Sequence, residues 1–343
     1  MTLKRESILI KESLENLGKF FRNTSSYNSV YSDFFDSIEL AEKENNWFTT
    51  NNILYAFKIW GKSLTKRNID VWLKKYKSIN SNAKKILIVM PGNIPLVGLH
   101  DLICVISSGN KAIVKCSSKD SILIPFISRI ENYIKKNTRF ISGEIKENKF
   151  DAVIATGSNN SVRYFKHYFS NYPTIIRNNK TSIAIITGEE TKNDLDNLAN
   201  DLLSYYGLGC RNVSKIFVPE GYNFNKIMKS LMSWSKVIDL DKYFNNYKRN
   251  KALLTINNNN FLDNGFFLLE ENQNWHSPIA SSYYEFYKDK QILLDKIKTN
   301  MDKIQCVVSN DFPEMSIPFG SAQEPMLWDY ADKIDTMDFL NQL

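Results

Sequence analysis

The hydrophobic positions of this chain change period along its length. Over residues 1–80 they recur at helical spacing, around Ile8, Leu14, Leu17 and Phe20–Phe21 and again around Val71, Trp72 and Tyr76. That spacing predicts a mostly helical N-terminal region, with a Ser- and Asn-rich loop from Asn23 to Tyr31. From residue 84 short apolar runs replace the helical period. Lys85–Met90 reads as a buried strand ending at Pro91-Gly92. A helix follows from about Leu96 to Ser107, stopped by Gly109, and Lys111–Lys115 is a second strand. Residues 119–136 suit one amphipathic helix, Asp151–Ala155 a third strand, and Ser158–Phe169 a helix.

A second series starts at Ser182–Ile186. A long helix is expected over Lys192–Tyr206, then a Gly-rich turn and the strand Lys215–Val218. Helices are expected over Asn225–Trp234 and Lys290–Asn300, a strand over Cys306–Val308, and a surface loop at Asn257–Asn260. Strand–helix alternation of this kind argues parallel sheets with crossover helices. The fold class is therefore α/β, with two Rossmann-like parallel-sheet domains behind a helical N-terminal region. The pattern gives two α/β units joined near residues 180–188, and the expected division of the chain is 1–185, 186–308 and 309–343.

Composition narrows the class. The 343 residues are 43% hydrophobic and 24% charged, which is ordinary for a globular chain of about two domains. The formal net charge is +7, with lysines spread along the chain. A mildly basic surface suits anionic substrates such as CoA or a dinucleotide, and no basic-aromatic stripe points to nucleic acid. The N-terminus lacks the apolar core of a signal peptide. The most apolar stretch, Ile86–Ser107, is broken by Pro91, Pro95, Asn93, His100 and Asp101, so no membrane span is expected. Four cysteines and three histidines, with no Cys-x-x-Cys pair, disfavour a metal site and a disulfide framework. A cytoplasmic location is the expectation.

Four segments are candidates for chemistry. Pro91-Gly92-Asn93-Ile94-Pro95 sits where a strand gives way to a helix, the place where open parallel sheets bind ligands. The Asn93 amide could donate to a developing oxyanion; a plain tight turn is the alternative. Thr156-Gly157-Ser158 follows the third strand, where Gly lets backbone approach a phosphate and Ser158 can cap a helix. Many strand–helix junctions carry Gly and Ser without binding anything. Lys115-Cys116-Ser117-Ser118-Lys119 ends the second strand. An acidic residue near this level binds the ribose 2′-hydroxyl in many NAD sites. Ser118 and Lys119 offer a hydroxyl and positive charge instead, which leans towards a 2′-phosphate and NADPH; an ordinary surface cap is the alternative.

The fourth segment is Gly207-Leu208-Gly209-Cys210-Arg211. Two glycines permit a sharp bend at Cys210, and Arg211 would favour its thiolate if the side chain turned inward. Cys104, Cys116 and Cys306 lie in apolar runs and read as core residues. His276 and His100 are possible acid–base groups, each with a structural role as the alternative. His167, in a helix among aromatics, reads as structural.

Taken together, Pro91–Asp101, Ala155–Ser161, Tyr206–Lys215 and Leu327–Asp332 resemble the LuxC-like acyl-CoA reductase family, in particular its shorter members. That family is similar to the aldehyde dehydrogenase superfamily, which implies an aldehyde-dehydrogenase-like fold with the helical region plus a cofactor-binding domain in 1–185, the catalytic domain in 186–308 and a C-terminal return or oligomerisation segment in 309–343. The resemblance implies that Cys210 is the catalytic nucleophile and Asn93 the oxyanion residue, although Gly92 stands where a Trp is usual. It implies Thr156-Gly157-Ser158 as the cofactor-phosphate turn and Lys115 as the cofactor lysine. It also implies a possible homo-oligomer formed through Pro318–Asp335, a segment that could equally line the active site.

Two departures matter. The region where hydrolytic relatives carry a water-activating glutamate reads Thr174–Lys180, with no acidic residue. The region where they carry a ribose-binding glutamate reads Asn274–Pro278, leaving Asn274 or His276 as substitutes. The expected activity is reduction of an acyl-CoA or acyl-protein thioester to an aldehyde by NADPH, through a thioester on Cys210. The alternatives are an aldehyde dehydrogenase forming acid, or a dinucleotide- or CoA-binding protein without activity. No sequence feature speaks for a purely structural protein.

Overall fold

The computed structural model describes residues 3–24, 31–76, 82–145 and 149–343. The chain divides into two compact units, Met1–Asn179 with Pro325–Leu343, and Lys180–Glu324. The expected boundary at 185 thus falls at the end of the first strand of the second unit. The expected 309–343 segment is shared: it begins in the second unit and ends in the first.

In the first unit, four helices precede the sheet: α1 (Leu3–Asn23), α2 (Ser32–Glu44), α3 (Thr50–Ser63) and α4 (Lys66–Lys74). Thr49 and Thr65 cap α3 and α4 by accepting backbone N–H bonds from Asn52 and Asn68. Their shared core is aromatic: Phe21, Phe34, Phe57 and Trp72 are fully buried. Most of the Asn23–Tyr31 loop lies outside the described residues.

Next come β1 (Lys85–Val89), α5 (Leu99–Ser107), β2 (Lys111–Lys115), α6 (Leu123–Ile127), α7 (Asn132–Asn137), β3 (Thr138–Phe140), β4 (Ala152–Thr156), α8 (Asn159–Tyr168) and β5 (Thr174–Arg177). The five strands are parallel in the order β3-β2-β1-β4-β5. The connections leave β1 in one direction and return to β4 on its other side. A crevice is therefore expected outside the carboxyl ends of β1 and β4.

The single helix expected over 119–136 is broken into α6 and α7. Pro125 is accommodated in the first turn of α6 but bars a helix running through it from residue 119, and Glu131 adopts an extended conformation (φ −110°, ψ 125°) that separates α6 from α7.

The second unit holds β6 (Thr181–Ile185), α9 (Lys192–Leu203), β7 (Val213–Pro219), α10 (Asn225–Leu231), α11 (Asp241–Ile256), β8 (Phe261–Asp263), β9 (Leu268–Glu271), β10 (Ser281–Tyr287), α12 (Lys290–Thr299) and β11 (Ile304–Val308). Its sheet runs β11-β6-β7-β10-β9-β8, parallel except for the edge pair β8–β9. Ile183, Ile185, Phe217, Leu293, Ile297, Ile304 and Val307 form the core between this sheet and α12.

The helix expected to reach Tyr206 ends at Leu203 and gives way to a tight non-helical turn, Ser204–Gly207. The helix expected over Asn225–Trp234 ends at Leu231, and a 3-10 segment continues to Asp239. After the second unit the chain returns to the first as α13 (Thr336–Asn341). There Arg177 of β5 donates to both Asp101 carboxylate oxygens (2.8 and 2.6 Å) and to Thr336 Oγ1 (2.8 Å), fixing α13 against α5.

Candidate active site

At the first unit's crevice, the loop after β1 carries Asn93 in a half-buried position. Two contacts shape this loop. A Cβ on Gly92 would lie 2.8 Å from the Ser117 Cβ and Oγ and 3.1 Å from the Lys119 Cβ. Glycine is thus needed because the loops after β1 and β2 meet here. Leu96 has a left-handed backbone (φ 60°), costing about 1–2 kcal/mol for such a residue. Its N–H donates to the buried Asp120 Oδ2 at 3.3 Å. Burial pushes the Asp120 carboxyl up to about 7, against the lowering effect of N–H groups from Leu96, Leu123 and Ile124. Asp120 therefore pins the Asn93 loop to the loop after β2. Its role is hidden in the sequence, where an Asp in a Ser- and Lys-rich turn looks like any solvent-facing acid.

Gly92→Ala is expected to destabilise the protein by about 1–3 kcal/mol, since the added methyl must push the two packed loops away from each other. A thermal melt reads this directly; an unchanged melting temperature would show that the loops yield.

The cofactor candidates line the same sheet end. Lys115 Nζ donates to the Gly143 carbonyl, in the turn after β3, while Ser118 and Lys119 are exposed. Asn45 Nδ2 donates to Lys119 O at 3.1 Å, so the helical region braces this loop. Thr156 and Gly157 are half-buried and Ser158 exposed. Ser158 Oγ accepts from the Ser161 N–H at 3.3 Å and caps α8. A Cβ on Gly157 would stand 2.8 Å from the Ser161 Cβ and 2.9 Å from Phe165, so the turn lies close against the first turn of its helix. Gly92, the Gly157 turn and a capped ten-residue helix at the strand ends fit the diphosphate of a dinucleotide.

His100 is not part of this edge. Its Nε2 lies 2.9 Å from Leu327 O, its ring packs near Trp60, Trp72 and Tyr330, and burial lowers its pKa. It is a half-buried histidine packed among aromatic rings. His167 lies exposed on α8.

In the second unit, the chain leaves α9 through three successive left-handed residues, Tyr205 (φ 52°), Tyr206 (φ 59°) and Gly207 (φ 76°). The two tyrosines cost about 1–2 kcal/mol each in this conformation, and strain of this kind gathers at functional sites. A four-residue turn follows, closed by the Asn212 N–H donating to Gly209 O at 3.0 Å. Cys210 occupies the second position of that turn and is exposed.

The turn is held from several sides. Asn212 Oδ1 accepts the Gly209 N–H at 2.8 Å, and Ser182 Oγ donates to Cys210 O at 3.0 Å. Arg211 Nε donates to Ala322 O. The buried Asp201 accepts N–H bonds from Gly320 (2.6 Å) and Ala322 (3.0 Å). Burial pushes the Asp201 carboxyl up to about 7, opposed by these two N–H groups and by Arg211. The 320–322 segment is thereby strapped beside the Cys210 turn, and Arg211 is bound to that strap. Cys306, on β11, is half-buried.

His276 follows β9 in a loop, reaches solvent, and has its pKa lowered by the protein that desolvates its ring. Asn274 is exposed in the same loop, and its N–H donates to Asn272 Oδ1 at 3.0 Å. The loop is anchored from beneath by Lys215, fully buried on β7, whose Nζ donates to Asn272 O (3.1 Å) and Glu285 Oε2 (2.6 Å). The trace of this anchor in the sequence is a lysine inside a largely apolar strand.

Among the described residues, no group of three His, Cys, Asp or Glu side chains is placed to hold a metal ion. No described helix is long and apolar enough to cross a membrane.

Comparison with known proteins adds the family and the fold. The acyl-CoA reductase (LuxC) family matches residues 62–246, more than half of the chain. No curated protein matches it in sequence. Among solved structures, aldehyde dehydrogenase 21 from Physcomitrella patens superposes with a TM-score of 0.67 at 10% identity, over 97% of this chain and 84% of that one. An NADP-dependent enzyme of E. coli gives 0.65 at 10% identity, over 90% and 73%. The NAD+ complex of an aldehyde dehydrogenase from Bacillus cereus gives 0.62 at 10% identity, over 92% and 73%. At such identities these likenesses establish the aldehyde-dehydrogenase fold.

Proposed function

The chain belongs to the acyl-CoA reductase (LuxC) family, and from that premise we propose that it reduces an acyl thioester to an aldehyde, with Cys210 as nucleophile. The observation that carries this reading is Cys210 itself, exposed at the corner of a turn whose backbone is fixed on both sides.

The Cys210 thiolate attacks the thioester carbonyl carbon, and the carbonyl electron pair moves to oxygen. By the family resemblance, the Asn93 carboxamide and the Cys210 backbone N–H would donate to that oxyanion. Its collapse breaks the bond to the CoA sulfur, which leaves as a thiolate and takes a proton from water. The acyl group remains on Cys210 Sγ as a thioester. NADPH, when bound, supplies the hydride that reduces this acyl group. Cys210 is then expelled as thiolate while the aldehyde departs.

Lys115, Ser118, Thr156, Gly157 and Ser158 would hold the dinucleotide, with Asn274 or His276 facing a ribose. The absence of an acid at Thr174–Lys180 supports reduction over hydrolysis. Arg177, within that stretch, is buried against Asp101 and cannot serve as a base for water. The positive charge of Lys119 beside Ser118 favours NADPH over NADH.

The test supplies acyl-CoAs of graded length with NADPH or NADH, follows loss of reduced cofactor, and traps the aldehyde. Aldehyde formation coupled to NADPH loss is expected, with an acyl mass on the Cys210 peptide when NADPH is withheld. Free acid from aldehyde and NADP+ without CoA, and no reduction of any thioester, would make the protein a dehydrogenase instead.

A further inference from the structure

Resting on the reading of Cys210 as nucleophile, we propose that Asn212, assisted by Ser182, is the positioning residue that sets the direction of the Cys210 sulfur and backbone N–H. A helix leaves its last carbonyls without partners. At the end of α9, the left-handed residues Tyr205, Tyr206 and Gly207 prevent the chain from supplying those partners by continuing the helix. The Asn212 side chain, only 3% exposed, does so from downstream. Its Nδ2 donates to Asp201 O (3.1 Å) and Ser204 O (2.9 Å), while its Oδ1 accepts the Gly209 N–H (2.8 Å).

A carboxamide carries donor and acceptor in one rigid plane. The same group that finishes the helix therefore also fixes the residue directly before Cys210. An aspartate would set a second oxygen against the carbonyls, and an alanine would leave both ends unmade.

The other side of Cys210 is held by Ser182. This residue is fully buried on β6, accepts the Cys306 N–H at 3.3 Å, and donates to Cys210 O at 3.0 Å. The peptide group after Cys210 is thus tied to the buried Ser182 side chain, the one before it to the Asn212 backbone N–H, and the Leu208–Gly209 peptide preceding that to the buried Asn212 side chain. Neither side chain needs to touch substrate for its loss to misalign attack.

Asn212→Ala, Ser182→Ala and Cys210→Ala are compared with the wild type in the acyl-CoA and NADPH assay. Steady-state kcat and KM, single-turnover CoA release, NADPH affinity by fluorescence and thermal melting are all recorded. Asn212→Ala is expected to lower kcat and the CoA-release rate about 10–100-fold, with KM and NADPH affinity within about threefold of wild type. Ser182→Ala follows the same pattern, about three- to tenfold.

A purely structural role would lower the melting temperature and leave kcat of the folded protein unchanged. That result in either variant, or a loss confined to KM, overturns the proposal. If Asn212→Ala melts below the assay temperature, Ser182→Ala decides. A Cys210→Ala protein that still turned over would overturn the nucleophile reading itself, a different outcome from either of these.

Discussion

Cys210→Ala is expected to abolish thioester-dependent NADPH oxidation, lowering kcat by at least about 10³-fold, as loss of a covalent nucleophile does elsewhere. The structure makes this a clean substitution. Cys210 is exposed, so its truncation opens no cavity in the core. The turn is closed by backbone and by Asn212, and Ser182 holds the Cys210 carbonyl; these bonds survive in the alanine protein. Melting temperature and NADPH affinity are therefore expected to stay at wild-type values while turnover is lost. The acyl mass on the 210 peptide disappears with it. Cys210→Ser sharpens the test, because a hydroxyl has no thiolate character near neutral pH and Arg211 is engaged with Ala322. Serine is expected to be nearly as inactive as alanine. Wild-type NADPH oxidation by the alanine protein would sink the assignment.

The sequence makes some elements of this fold plain and hides others for physical reasons. β1, β4, β6 and β7 are visible as apolar runs because their central residues are buried on both faces. β5 is hidden because its four residues hold Arg177, whose charge is met by Asp101 from a different helix. β10 reads Ser-Ser-Tyr-Tyr-Glu-Phe-Tyr, where the partly exposed Tyr283 and Tyr287 and the paired Glu285 blur the apolar signal. α11 mixes Asn, Lys and Tyr and buries only Tyr243, Tyr247, Asn250 and Leu254, too thin a stripe to read as a helix.

The candidate site divides in the same way. Its glycines are legible, since Gly92 and Gly207 mark a close approach and a positive φ. The groups that fix those turns are not. Asp120 and Asp201 act through buried hydrogen bonds to backbone atoms distant in sequence, and Asn212 through bonds back to the end of α9 and to Gly209. Nothing about an isolated Asp or Asn announces such a partner.

Asn93→Ala is the complementary expectation. Removal of one side-chain donor from an oxyanion typically costs about 10²–10³ in kcat. A loss of that size is expected here, with a much smaller change in KM, because the amide is asked to bind charge that exists only during reaction. The loop geometry does not depend on this side chain alone. Gly92 seats the loop against Ser117, and Asp120 holds the Leu96 N–H.

Asn93→Asp separates electrostatics from shape. It preserves the size of the side chain but sets negative charge where the oxyanion would form, so it is expected to be slower than alanine. Single-turnover CoA release is the decisive measurement, since it reports acylation before any hydride is used. If Asn93→Ala released CoA at the wild-type rate and also reduced the acyl-enzyme at the wild-type rate, Asn93 would be only a residue of a tight turn. If acylation and reduction both slow, one amide serves both tetrahedral oxyanions, as a thiolate that attacks and later leaves the same carbon requires.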